Sequence, residues 1–398
     1  MNMNIEMKEI ATDCHHSGIF PAPGGGKIIT DGRFLYVTYG TLDNHSVVLK
    51  YDGKKWISSR KLPIIPPYIA VDTKGYIHLA GLKQKERGNV WYYRSSEPYD
   101  VASVDDGRYI HPRNYSSMVV DNNDDALYYF GAGMHSGGLG FMKRTFDGVW
   151  SDGTLLGKGQ IIYPGVAIRD GVMHLIFTGW NPAGAVYENV FYLRSSDSGH
   201  SWTRRDGTPV PIPFNYDSHN PKSVEALDRV SRSFLEGHFD SDTHNLQIFI
   251  DTPGRPHILY YYVPTYFPRT ERLARIYNRH VRGDSDGWKY SLISDNPKVD
   301  LNMSSIVADN SGCFHCVCVY RTKDRKYFNL GYCYSDDAGD SWSAIERITD
   351  DADATQRSYM YPQWCINSFQ DDLYFICNLY GGGTLMLGHL PLSKGEHS

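Results

Sequence analysis

Short apolar runs alternate with turn residues along the whole chain. Segments such as IAVDTKGYIHLAG, SSMVVDNNDDALYYFG, GVAIRDGVMHLIFTG, LQIFIDTPGRPHILYYY and SSIVADNSGCFHCVCVY each place an apolar strand, a turn rich in Asp, Asn or Gly, and a Tyr-rich strand in succession. A variable loop, another strand and a turn ending near Trp follow. Apolar runs bounded by such turn residues are the signal of strands in hairpins. The unit recurs, beginning near Lys27, Ile69, Ser116, Gly165, Leu246, Ser304 and Gln363. Repeated four-stranded sheets have exposed faces and edges that their neighbours must cover, which predicts an all-β, seven-bladed β-propeller over residues 1–398. The last unit, QWCINSF, DLYFICNLY and GTLMLGHL, supplies three strands, so an early segment around Ser17 to Ala22 is expected to complete its sheet. The one long interruption, about 208–242, contains PVPIPFNYDSHNPKSVEALDRVSRSF, whose middle predicts a short helix beside the ring, as lid or padding.

Two turns follow the pattern Ser-x-Asp-x-Gly-x-x-Trp: Ser195, Asp197, Gly199 and Trp202, then Ser335, Asp337, Gly339 and Trp342. The Asp can accept from turn amides, the Gly can adopt positive φ, and the Trp can pack between sheets. Weaker relatives end at Trp56, Trp150 and Trp288. Such turns belong in outer hairpins and identify blades rather than chemistry.

Composition narrows the class. Hydrophobic residues make up 41%, charged residues 21% and aromatics 14%, with 30 Tyr and 38 Gly, which suits short strands and tight turns. Forty Lys and Arg against 45 Asp and Glu, with no concentrated basic run, argue against a nucleic-acid partner. No run approaches the roughly 20 apolar residues of a membrane span, and MNMNIEMKEIATDCHH lacks a secretory apolar segment. The expectation is a cytoplasmic chain, or a secreted or periplasmic one if a leader has been removed. Seven Cys, mostly in strand-like segments, do not suggest a disulfide framework. In GCFHCVC, strand alternation puts Cys316 and Cys318 on one face and Cys313 and His315 on the other, so no metal is expected there. Cys14, His15 and His16 read as a surface stretch, and His257 as packed in a sheet interface rather than facing the channel. No cofactor is expected.

The segments leading into the innermost strands read IIPPYIAV, YIHPRNYSSMVV, IIYPGVAI, THNLQIFI, DLNMSSIVA and YMYPQWCIN. They repeatedly set an aromatic or His beside Pro. At one mouth of the channel they would gather His111, Arg113, Tyr115, Tyr163, His244, Asn245, Asn302, Tyr361 and Gln363. The loops between second and third strands would add His135, Trp180, Tyr187, Arg272, Arg321 and Tyr380. A set rich in Tyr, His and Arg and poor in acids fits an anionic, hydroxyl-bearing ligand such as a uronic-acid sugar. Arg binds carboxylate in parallel pairs of hydrogen bonds, and Tyr and Trp faces stack on sugar rings. Simple filling of a narrow channel by Tyr-Pro is the structural alternative for any single member.

The blades, SSDSGHSWTRRDGTPVPIP, VWYYRSSEPYDVAS and IDTPGRPHILYYY together resemble the BNR-repeat propeller family, which includes ulvan lyases and related rhamnose-glucuronate lyases. The resemblance runs from about Lys27 to Leu390 and is strongest between Val90 and Tyr262. It implies cleavage beside a uronate by β-elimination, with His111 and Tyr163 at the base and acid positions and His135 in GMHSGG as a helper. Tyr115 competes for the role of His111. The Arg such lyases carry late in the second strand after the Tyr163 segment is replaced by FTGWNPAG with Trp180, so Arg113, Arg272 or Arg321 would have to neutralise the carboxylate. An early Asp-His pair is absent too, with Lys83, Lys85 and Arg87 nearby. From the mouth segments, Trp180, Tyr187, Tyr361 and Gln363 are expected to bind substrate alongside those arginines. Two other functions remain open: a glycoside hydrolase, whose candidate acids are Glu188, Glu271 and Asp324, and a non-catalytic sugar-binding propeller. A sialidase is not supported, because GIFPAPGGG lacks the arginine its triad needs.

Overall fold

The computed structural model describes residues 5–15, 19, 26–83, 89–104, 107–111, 116–133, 138–181, 186–217, 220, 225–232, 238–266 and 276–392. Seven largely antiparallel blades follow one another as in a propeller, and blades 4 and 5 are joined into one ten-stranded sheet where Glu188 pairs with Ser241. Their innermost strands are Ile28–Thr30, Tyr68–Val71, Ser116–Asp121, Ile161–Arg169, His238–Ile250, Val299–Ala308 and Tyr359–Trp364. Along much of the ring, innermost strands of successive blades pack against one another. Between blades, apolar side chains interlock: Trp202 of blade 4, almost fully buried, meets Phe130 and Phe141 of blade 3 at centroid distances of 6.3 and 6.4 Å. Burying such a ring stabilises the fold by roughly 3–5 kcal/mol relative to Ala.

The last blade is completed by Glu6–Ala11, paired antiparallel with Thr384–Leu390. The expected contributor, Ser17 to Ala22, lies outside the described residues apart from Ile19, which is buried in the core of blades 1 and 7. The polar, charged segment EMKEIA escaped notice because an edge strand needs only its inward face to be apolar.

In the 208–242 segment, the expected helix is not found over the described 225–232 stretch. Phe214–Tyr216 adds in parallel to the outer strand of blade 3, and Asp228–Arg229 adds to the third strand of blade 4. Asp228 accepts from Trp288 Nε1 at 2.8 Å and from the Arg205 amide at 2.9 Å, which holds the chain extended on the sheet. These two described stretches lie along the flanks of blades 3 and 4, and the rest of the expected helical middle, 218–219, 221–224 and 233–237, lies outside the described residues. Tyr216 reaches inward until a Cβ on Gly179 would lie 2.0 Å from its ring, so only glycine fits there.

The two Ser-x-Asp-x-Gly-x-x-Trp turns fold alike. Ser195 and Ser335 donate to Asp197 and Asp337 at 2.8 and 2.7 Å, and accept from the Gly199 and Gly339 amides at 2.9 and 2.8 Å. A second device recurs at the hairpin joining first and second strands. A ring nitrogen of His78, His257 or His315 meets Asp72, Asp251 or Asp309 at 3.0–3.1 Å, and the other meets Tyr92, His280 or Tyr332 at 2.7–2.9 Å. His257 is thus packed inside the sheet, as its sequence context suggests.

Candidate functional site

Backbone geometry aims side chains at the mouth. The innermost strands of blades 4 to 7 each lose register near the mouth, between Ile162 and Gly165, Ser241 and Gln247, Leu301 and Ser304, and Met360 and Gln363. In blades 4 and 7 the irregularity is a Tyr-Pro pair. Proline has no amide to give the ladder, and the tyrosine before it takes a left-handed backbone, with φ of 56° at both Tyr163 and Tyr361. Bulky residues rarely accept that region, and strain of order 1–3 kcal/mol persists only where surrounding packing imposes it. In blades 4 and 7 the Tyr-Pro pair of the sequence is therefore a strand bulge that re-aims one ring in each.

The rings converge. Tyr163 is buried, its hydroxyl 3.5 Å from that of Tyr187 and its ring 5.3 Å from the Tyr187 ring. Trp180, paired across strands with Tyr187, lies 4.7 Å from it. From blade 5, His244 stands edge-on to Tyr187 at 3.9 Å, sits 5.7 Å from Tyr163, and stacks on Tyr261 at 5.1 Å. Thr178 and Thr243 hydroxyls at 2.9 Å join blades 4 and 5 beneath this group. Burial alone pushes the His244 imidazolium down to about 3, so the ring is neutral near neutral pH. Burial, reinforced by neighbouring Tyr187 and Tyr361, pushes the Tyr261 phenol well up. Burial and Tyr380 raise Tyr361 as well. Tyr261 and Tyr361 are thus protonated phenols near a neutral imidazole, and the aromatic basin can stack on a sugar and share hydrogen bonds with its hydroxyls.

Of the residues expected at the mouth, Tyr163, Trp180, Tyr187 and His244 form one cluster, with Tyr361 near enough to act on Tyr261. Arg321 lies beside the Leu301–Ser304 bulge, where it pairs with Asp300 at 3.3 Å and covers the Phe328 ring at 4.7 Å. Gln363 is buried and donates to the Ile19 carbonyl at 2.5 Å, which tethers the N-terminal segment. The backbone of His111 ends the outer strand of blade 2, Arg108–His111. Its side chain, and Arg113, Tyr115, His135 and Arg272, lie outside the described residues. Among the hydrolase candidates, Asp324 is fully solvated. Glu188 accepts from Asn181 at 2.8 Å, and Glu271 lies outside the described residues.

Sequence reasoning missed Tyr261 and the support behind His244. Tyr261 was one of three consecutive tyrosines, and only the strand register selects it as the partner of His244. Four residues before His244, Asp240 binds Arg279 through two contacts of 3.1 Å, accepts from Tyr260 at 2.6 Å and from the Arg232 amide at 3.1 Å. Arg279 also donates to Tyr262 at 2.6 Å. Both charged side chains are essentially buried, so this pair fixes the strand that presents His244.

The profile of the family described as BNR repeat-containing family member matches residues 66–296. No curated protein matches the sequence. Three solved structures share the fold over nearly the whole chain. A PL25 ulvan lyase, described as a new family of polysaccharide lyase, superposes with a TM-score of 0.68 at 14% identity, covering 96% of this chain and 95% of its own. The same kind of lyase bound to -[GlcA(1-4)Rha3S]- gives 0.68 at 13% identity, with the same coverage. The polysaccharide lyase Uly1 gives 0.62 at 14%, covering 94% and 91%.

Proposed function

We propose, for a chain that belongs to the BNR repeat-containing family, that it cleaves a uronate-containing glycan by β-elimination at the mouth of its propeller. The observation that carries this reading is Tyr163. A strained bulge holds its phenol against Tyr187, inside an aromatic basin with Trp180 and His244. The acidic oligosaccharide bound to a lyase of the same fold supports the substrate class.

In such a reaction a base takes the proton beside the carboxylate. Its electron pair forms a carbon–carbon double bond within the ring, the bond to the leaving oxygen breaks, and an acid protonates that oxygen. Tyr163 is assigned the acid: its hydroxyl, aimed by the bulge, lies 3.5 Å from that of Tyr187 and can donate to a leaving oxygen. His111 is assigned the base, with Tyr115 as the competing candidate and His135 as helper. The carbanion develops next to an existing negative charge, so a guanidinium must face the carboxylate. Arg279 is committed to Asp240 inside the sheet, so the candidates for that role are Arg113, Arg272 and the partly exposed Arg321, which also pairs with Asp300. Trp180 and Tyr187 would stack on the sugar.

The test is to incubate the protein with a panel of uronate polymers, glucuronate–rhamnose glycans included, and follow the ultraviolet absorbance of the unsaturated uronate. Rising absorbance that disappears in Tyr163→Phe supports elimination. Reducing ends without absorbance would mean hydrolysis, and glycan retention with neither signal would mean a binding module.

A further inference from the structure

The hairpin lock of Asp and His occurs in blades 2, 5 and 6, and the residue four positions after the Asp differs: Tyr76, Arg255 and Cys313. In blade 5 that residue supplies a cation. Arg255 Nη2 lies 2.8 Å from Asp251 Oδ2, and its Nε donates to the same oxygen at 2.8 Å. In blade 2 the cation comes from the neighbouring strands: Arg94 covers the Tyr76 ring at 3.5 Å, and both Arg94 and Arg144 act on His78. Blade 6 keeps the carboxylate and the imidazole but puts a thiol where Arg255 stands. Asp336 adds further negative charge beside that thiol. Among the described residues, the one ion pair of Asp309 is with His315.

A carboxylate oxygen of Asp309, Sγ of Cys313 and a ring nitrogen of His315 all lie within 4.8 Å of one another. We propose that they bind a divalent cation of the zinc type, which supplies the positive charge that arginine supplies in blades 2 and 5. Mixed oxygen, sulfur and imidazole donors suit zinc, with a water completing a tetrahedron. The Tyr332 hydroxyl, 2.8 Å from Nδ1 of His315, orients the ring and leaves Nε2 to face the metal, as outer partners of metal-bound histidines do. Strand alternation does not oppose the site, because Cys313 precedes the strand Phe314–Thr322 and belongs to the turn. The metal would pin a hairpin at the end of the blade away from the mouth, so the inference is independent of the catalytic reading.

The experiment uses the full chain after dialysis against chelator, titrated with cobalt(II) or cadmium(II) and read by the thiolate-to-metal charge-transfer band. One equivalent is expected, with a rise in Tm. Cys313→Ser should lose the band and the rise, and His45→Ala, at an exposed histidine beside Asp43, should keep both. Cys313→Arg, which rebuilds the arrangement of blade 5, should be as stable in chelator as the metal-loaded parent and should not respond to metal. Asp309→Asn should weaken binding while the band's thiolate character remains. No band in the parent at metal excess, or a band that survives in Cys313→Ser, overturns the proposal.

Discussion

Replacing Arg279 by Met isolates the ion pair beneath the mouth. Arg279 and Asp240 expose 3% and 0% of their side chains, and the carboxylate accepts from two guanidinium nitrogens, one phenol and one amide. Methionine keeps most of the packing but removes the counter-charge, so Asp240 is left buried with Tyr260 and an amide as partners. Breaking a buried pair from one side costs about 3–5 kcal/mol. With an unfolding entropy of about 2.1 cal/mol/K per residue over 398 residues, that loss lowers Tm by about 4–6 °C. Urea unfolding followed by tryptophan fluorescence and a thermal scan would both read it. The double variant Asp240→Leu with Arg279→Met should recover most of the loss, because no uncompensated charge remains. A single variant within about 1 kcal/mol of the parent, or a double variant worse than the sum of the singles, would refute the reasoning.

Other substitutions and conditions test separate parts of the structure. Tyr163→Phe should lower elimination by about 10²–10⁴-fold with glycan affinity little changed, measured by initial ultraviolet rates beside affinity electrophoresis. Gly339→Ala would put a Cβ 2.1 Å from the His280 ring on a backbone with φ of 84°, and should cost at least about 2 kcal/mol in urea unfolding. For pH, burial depresses His174 to about 4 and His244 and His280 to about 3, so these rings are neutral when folded and protonate more readily when unfolded. The unfolded chain then binds more protons, and stability should be steady above about pH 6.5 and fall as pH drops from there toward 4. Asp197 and Asp337, held down to about 2 by the turn hydrogen bonds they accept, add a further loss between about pH 4 and 2. A urea midpoint flat from pH 7 to 4 would contradict the histidine assignment.

The blades were legible because each hairpin writes its apolar runs and turn residues locally. All seven innermost strands contain or adjoin the start positions read from the repeat. The closing strand was not legible in the same way, since EMKEIA acquires its place only by pairing with Thr384–Leu390 at the far end of the chain. In the 208–242 segment, the added pairing of Asp228–Arg229 was not legible either, because it depends on distant Trp288 and Arg205 holding Asp228. Tyr-Pro does mark where the innermost strands of blades 4 and 7 lose register, yet the positive φ at Tyr163 and Tyr361 is imposed by tertiary packing. The contacts that Gln363 makes with the Ile19 carbonyl and Arg321 with Asp300 were not legible, because a sequence does not reveal which backbone or side chain lies opposite.

Pairing Glu6–Ala11 with Thr384–Leu390 also sets an order of events during synthesis. A ribosome adding about 5–20 residues per second needs roughly 20–80 s for 398 residues, and for almost all of that time the nascent circle stays open on one flank. Six sheets can dock as they emerge, but the clasp waits for the last hairpin to leave the exit tunnel. Chaperones that shield bare edges should therefore matter most until Thr384–Leu390 has emerged, and a frameshift upstream of Thr384 would release an unlatched arc rather than a slightly shorter ring.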